Sequence, residues 1–295
     1  MSIVTRFAPS PTGFLHLGHA YAAWVAWSKA REGGGDFLLR LEDIDSTRCK
    51  PDFAAAICED LRWLGLGWDG AVRVQSEHLP DYAAALDKLD RQGLIYPCFC
   101  SRAEIARAQS APQEAAQGAP HGAEAVYPGT CRDLSLAARA QRMAAGDKYA
   151  RRLDVRRAAR TAGDLRFFEE TAGWIQAVPE RLGDVVLGRS DVATSYHLCV
   201  VCDDAAQGVT HVTRGDDLAG VTHIHVLLQK LLGLATPVYA HHRLLLDAQG
   251  KRFAKRDHAM TLRAMREAGV TPEDIWRRLR GGPAASHETL ESKMI

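Results

Sequence analysis

The stretch "RFAPSPTGFLHLGHAYAAW", residues 6–24, constrains the fold more than any other part of the chain. An apolar run, "IVTRFAP", enters a turn carrying Pro9, Pro11 and Gly13. The turn opens into "AYAAWVAWSKAREG", whose pattern predicts a helix closed by the glycines at 33–35. "DFLLRLED" then reads as a second strand. A strand, helix, strand unit closes right-handed into a parallel sheet, so an α/β fold is expected. "DFAAAICEDLRWLGL" and "LPDYAAALDKLDRQGL" follow as amphipathic helices ending near glycines. Residues 103–126 are poor in large apolar side chains and rich in Ala, Gln, Pro and Gly, which predicts a surface loop after a short helix. Beyond it, "KYARRLDVR" and "DVVLGRSDVATSYHLCVVCDD" read as strands and "VTHIHVLLQKLLGL" as helix. "TPEDIWRRLRGG" carries a helix start, with Thr271 as cap and Pro272 in the first turn. Alternation resuming after a different middle predicts one nucleotide-binding fold interrupted by an insertion, without internal repeats.

A chain of 295 residues, 46% hydrophobic and 25% charged, excludes disordered and collagen-like classes and can bury a sizeable core. No apolar run is long enough to span a bilayer, and "MSIVTRFAPS" lacks a signal-peptide pattern, so a cytoplasmic protein with no membrane partner is expected. Seven unevenly spaced cysteines argue for thiols and a metal rather than a disulfide framework. Basic residues cluster at Arg151, Arg152, Arg156, Arg157 and Arg160, and again from Arg243 through Lys251, Arg252, Lys255 and Arg256 to Arg263. They describe either solvated faces or the footprint of a polyanion.

His16 and His19 stand at the helix entrance, where unpaired backbone N–H groups and the positive end of the helix dipole suit a phosphate. Three apart, they share one face and could both reach a triphosphate, donating to oxygens whose charge redistributes during displacement. Gly18 would leave room for a nucleotide. An isolated H-x-x-H more readily describes a capping His16 followed by a surface His19, and it is the surrounding sequence that favours the phosphate reading.

"HLGH" resembles the first signature of the class I aminoacyl-tRNA synthetases and related nucleotidyl transferases, and "RFAPSPTGFLHLGH" is similar to the glutamate-specific branch. The resemblance continues through "LLRLEDIDSTR", "DLRWLGLGWDG", "QSEHLPDYAAALDKLDRQGLIYPCFC", "SYHLCVVCDDAAQGVTHVTRGDDL" and "AHHRLLLDAQGKRFAKRD", spanning residues 4–280. It implies a Rossmann-type catalytic fold with nucleotide bound at the carboxyl ends of the parallel strands. The expected division is a first catalytic half at 1–95, an insertion with a zinc site at 96–189, a second catalytic half at 190–246, and a signature loop with a short helical segment at 247–295. The resemblance further implies that Arg6, Ala8 and Ser10 contact glutamate, that Glu42 pairs with its ammonium, and that Tyr196 and Arg214 complete the pocket. An arginine offers a bidentate fork to a carboxylate, so Arg214 predicts glutamate over glutamine, or else forms a surface ion pair with Asp216 or Asp217. Which of Arg6 and Arg214 takes the side-chain carboxylate stays open. The implied reaction is attack of the glutamate α-carboxylate on the α-phosphorus of ATP, with Mg2+ as partner of the phosphates. The second family signature corresponds to "RFAKR", 252–256, where Lys255 holds the position expected to touch ATP while Arg252, Ala254 and Arg256 depart from the pattern.

Cys98 and Cys100 in "YPCFCS" project to the same side of an extended segment and can chelate, and Cys131 supplies a third thiol. The resemblance offers Tyr127 as fourth zinc ligand, with His121 as the conventional competitor. Cys199 and Cys202, placed on a strand, would face opposite ways and are expected to be structural. The chain stops soon after the second signature, which implies no anticodon-binding domain, the pattern of shortened paralogues. In those, glutamate is activated without tRNA and passed to queuosine at the wobble position of tRNA(Asp), and a splayed anticodon loop would enter the active-site groove. The alternatives are a minimal enzyme charging the 3′ end of tRNA(Glu) and a non-catalytic zinc-containing RNA-binding module. A monomer is expected.

Overall fold

The computed structural model describes residues 2–101, 103–105, 126–189, 194–245 and 260–281. His121, "RFAKR" with Lys255, and most of the 103–126 stretch lie outside the described residues.

The opening strand–helix–strand unit forms as the pattern predicts. Strand β1 (Val4–Phe7) and β2 (Asp36–Leu41) pair in parallel, connected by helix α1 (Leu17–Glu32). Leu17, Ala20, Ala23, Ala26 and Ala30 make the buried stripe of α1. These small side chains bring the helix so near the sheet that Thr5 Oγ1 donates to the Ala26 carbonyl at 2.7 Å. Helix α2 (Pro51–Trp63) starts on a proline that needs no N–H partner, and the two-residue β3 (Arg73–Val74) extends the sheet beside β2. Helix α3 (Leu79–Arg91) leads to β4 (Ile95–Cys98).

After helix α4 (Leu136–Ala144) come β5 (Ala150–Leu153), helix α5 (Val155–Ala162), the hairpin β6 (Arg166–Glu169) and β7 (Gly173–Gln176), and β8 (Val186–Gly188). Strands β4, β5 and β8 make a small antiparallel sheet. Residues 96–189 therefore serve two sheets, because the β6–β7 hairpin pairs in parallel with the later strand β10 (Val238–His242).

Helix α6 (Tyr196–Ala206), β9 (His211–Gly215), helix α7 (Thr222–Leu232) and β10 (Val238–His242) build the second parallel unit. Helices α8 (Leu262–Glu267) and α9 (Pro272–Gly281) follow, the second preceded by Thr271, whose Oγ1 accepts from the Asp274 N–H at 3.2 Å as the expected cap. The strand expectation over "SYHLCVVCDD" is corrected here. Tyr, Val and Cys favour strands, but Leu198–Val201 are all buried in α6 along with Asp203 and Asp204, and a helix buried on several sides shows no amphipathic period. The opposite-face argument for Cys199 and Cys202 falls with it, since positions three apart on a helix are neighbours. Cys199 is buried with its Sγ 3.1 Å from Thr194 Oγ1, and burial pushes the Cys202 thiol up to about 12.

The two parallel units meet at β1 and β9. Thr210 N–H donates to the Val4 carbonyl at 3.0 Å and Arg6 Nη1 to the Thr213 carbonyl at 3.1 Å, so β1 and β9 run in the same direction side by side. The sheets β3-β2-β1 and β9-β10-β6-β7 thus adjoin at β1 and β9, and the connections diverge there. A ligand crevice is expected outside the carboxyl ends of strands at such a switch point.

Candidate active site

His16 is the N-cap of α1. Its Nδ1 accepts from the Gly18 N–H at 3.1 Å, and His19 Nδ1 accepts in return from the His16 N–H at 3.2 Å, a capping box built from two imidazoles. Their ring centroids are 3.8 Å apart. A neutral imidazole that accepts at Nδ1 carries its proton on Nε2, so capping directs both rings to present an Nε2–H donor. The capping alternative for His16 is thus realised, whereas His19 is half-buried rather than a surface residue. The space at Gly18 serves the cap, because a Cβ there would stand 3.1 Å from His16 Cε1.

Thr261 bridges His16, and the Leu262 N–H donates to the Leu15 carbonyl at 2.8 Å, so the residues flanking the second signature are anchored on the first.

Arg6 on β1 is buried, its Nε 2.9 Å from Asp204 Oδ1. Arg40 on β2 is wholly buried, reaches the same carboxylate through Nη2, and lies 3.9 Å from Glu42 through Nη1. Two guanidiniums overcome the effect of burial on Asp204 and hold its carboxyl below the usual range. Glu42 follows β2 directly, and its N–H donates to the Pro9 carbonyl at 3.0 Å, which ties half-buried Ala8 and exposed Ser10 to the strand end. Burial raises the Glu42 carboxyl to about 7 against the pull of Arg40 and Arg6.

Tyr196 starts α6. Burial raises its phenol, which also feels Arg214, Glu42 and Arg6, so four of the residues implied for the glutamate pocket share one electrostatic environment. Arg214 on β9 is buried rather than paired with Asp216 or Asp217. Its Nε donates to His241 Nε2 at 3.2 Å, Nη1 to His225 Nδ1 at 3.0 Å and Nη2 to Thr222 Oγ1 at 2.6 Å. Asp204, Arg40, Thr222, His225 and His241 were not singled out from sequence. The dense polar residues in "VCDD", "VTHIH" and "AHH" were the available signal, since buried polar groups in apolar elements need partners.

At the end of β4 and after it, Cys98, Cys100 and Cys131 place their sulfurs within 4.8 Å of one another. Tyr127 Oη lies 3.3 Å from Cys98 Sγ and 3.5 Å from Cys100 Sγ. Among the described residues this is the one group of three or more such side chains able to hold a metal ion, and Cys199 and Cys202 are not in it.

The family described as "tRNA synthetases class I (E and Q), catalytic domain" matches residues 2–292. A Rhodobacter capsulatus protein named glutamyl-Q tRNA(Asp) synthetase is 54% identical over 95% of this chain and all of its own length. A Nitratidesulfovibrio vulgaris protein of the same name is 44% identical over 92% of this chain and 83% of its own. The crystal structure of a glutamate tRNA ligase from Elizabethkingia meningosepticum, solved with its amino acid, superposes with a TM-score of 0.70 at 27% identity, covering 87% of this chain and 52% of that one. The chain thus spans about half the length of that ligase. From the strand order, the two-histidine helix entrance and these matches together, the chain belongs to the class I tRNA synthetases (E and Q).

Proposed function

We propose that the protein activates L-glutamate with ATP in the absence of tRNA and transfers it to queuosine at the wobble position of tRNA(Asp). The observation that carries the activation step is that Arg6, Glu42 and Arg214 all act electrostatically on the Tyr196 phenol, with both arginines buried. Glutamate needs cations for two carboxylates and an anion for its ammonium, and this group of side chains includes both. Ala8 and Ser10 line the turn that carries Glu42, and the helix start at His16, Gly18 and His19 receives the ATP phosphates. The α-carboxylate oxygen forms a bond to the α-phosphorus as the bond to the β-phosphate oxygen breaks, and pyrophosphate leaves with the electron pair. The Nε2–H donors of the two histidines stabilise charge on the transferred phosphorus group and its neighbours, Lys255 adds a further cation, and Mg2+ would neutralise the phosphates when bound. A queuosine hydroxyl then attacks the acyl carbon and AMP departs. The acceptor is supported by the name borne by the relatives at 54% and 44% identity.

The cysteine cluster fits zinc. Sulfurs at the corners of a zinc tetrahedron stand about 3.8 Å apart, and Cys100 and Cys131 are at 3.4 Å. Cys98, Cys100, Cys131 and the Tyr127 oxygen would hold the ion. Arg152 lies 4.0 Å over the Tyr127 ring, a cation–π contact that fixes the ring beside the thiols. Zinc there would staple the insertion and take no part in the chemistry.

Radiolabelled glutamate and ATP, given separately to tRNA from cells with and without queuosine, test the acceptor. Label is expected on queuosine-containing RNA alone. Retention on queuosine-free RNA would show charging of tRNA(Glu) instead. Pyrophosphate exchange into ATP that requires glutamate but no RNA is the companion expectation, and folded protein without it would be a binding module.

A further inference from the structure

Arg214 is surrounded in a manner unlike Arg6. An arginine only donates and is always charged, so every atom that meets it must accept, and the three that do are uncharged: His241 Nε2, His225 Nδ1 and Thr222 Oγ1. Among the described residues no carboxylate pairs with Arg214, whereas Arg6 is paired with Asp204. Each imidazole can accept only in one tautomer, and each has a second partner that selects it. His241 must carry its proton on Nδ1, and that nitrogen lies 2.6 Å from Glu169 Oε2. The other Glu169 oxygen accepts the His241 backbone N–H at 3.1 Å, so both oxygens have to be acceptors, which a carboxylate provides and an amide does not. His225 must carry its proton on Nε2, which lies 3.2 Å from His197 Nδ1. Burial, with the guanidinium, disfavours the charged form of both rings.

We propose that His225 and His241 are positioning residues for Arg214, that Glu169 and His197 hold their rings in the accepting tautomers, and that the cage leaves the arginine charge for a ligand carboxylate. This rests on the glutamate-pocket assignment above. A buried cation held only by neutral acceptors is poorly compensated. A ligand carboxylate relieves that deficit. Glu169 acts from behind His241, where it orders the ring without occupying the arginine's own anion site.

The test is pyrophosphate exchange by the full chain at varied glutamate and ATP. His241→Leu and His225→Leu remove an acceptor, and each is expected to raise KM for glutamate about tenfold, the scale of one hydrogen bond to a charged group, with KM for ATP unchanged. Gln at 241 places an oxygen acceptor where Nε2 was, and Asn at 225 where Nδ1 was, so His241→Gln and His225→Asn are expected to recover most of the loss. Failure of both to recover it, or an equal rise in KM for ATP, would overturn the proposal. Long-range proton–nitrogen NMR of the ligand-free protein reads the tautomers independently of substrate. Neutral His241 protonated on Nδ1 and neutral His225 protonated on Nε2 are expected, and the opposite tautomers would overturn the cage whatever the enzyme acts on. Absence of glutamate-dependent exchange in the unaltered protein would instead overturn the pocket assignment, with the NMR result still deciding the cage.

Discussion

Glu42 must be ionised to hold an ammonium, yet burial lifts its carboxyl to about 7. As pH falls through that value the group takes up a proton and loses its attraction for the amino acid; as pH rises the attraction returns. The specificity constant kcat/KM for glutamate in pyrophosphate exchange is therefore expected to fall on the acid side of about 7, approaching tenfold per unit. A flat profile from about pH 8 to 6 would remove Glu42 from ammonium binding. Arg214→Gln keeps hydrogen-bonding capacity but deletes the charge, and should reduce glutamate activation by at least about a hundredfold while ATP still binds. Isothermal titration with a non-hydrolysable ATP analogue separates the two effects. Arg6 and Arg214 were visible as candidates from sequence because they sit in specific strings. Their unequal compensation was not, since Asp204 and the two histidines are remote in the chain.

Among the elements, α6 is pinned by one carboxylate. Asp203 is fully buried and accepts from Arg73 Nε at 2.7 Å, Gln75 Nε2 at 2.8 Å and the Tyr82 hydroxyl at 2.8 Å, which joins α6 to the β3 and α3 region. Asp203→Ala would leave a half-buried guanidinium and a buried amide and phenol without their shared acceptor, and urea denaturation should show a loss of about 3–5 kcal/mol. A change below about 1 kcal/mol would mean water or a rearranged Asp81 replaces it. At the Cys98, Cys100 and Cys131 cluster, one zinc ion per chain is expected by metal analysis of protein prepared without chelator, and Cys131→Ser should lower that occupancy. Unchanged zinc would place the metal elsewhere. The C-x-C pair was legible because extended-chain geometry is local. The helical state of α6 was not, because its apolar residues face core on several sides and carry no helical period.

At the scale of the molecule, the proposed pocket draws Arg6 and Glu42 from the first parallel unit and Tyr196 and Arg214 from the second. A stable glutamyl-adenylate analogue would therefore cross-brace the β1–β9 join. At a hundredfold excess over its Kd it should stabilise the protein by about 2.7 kcal/mol, visible as a rise in Tm that Arg214→Gln reduces. No rise at saturation would mean the crevice does not bind it.

The sequence alone determined what depends on neighbours along the chain: the proline-bearing turn into α1, the alanine stripe, the Thr271 cap and the C-x-C pair. Backbone sterics and side-chain period act over a few residues, so their outcome is written locally. The tertiary structure decided which remote groups meet. Arg6 finds Asp204 198 positions away only because β1 and β9 lie side by side. The β6–β7 hairpin reaches Arg214 through Glu169 and His241 only because β6 pairs with β10. Partner choice, burial and tautomer all follow from that strand order, and none is a property of a residue and its flanks.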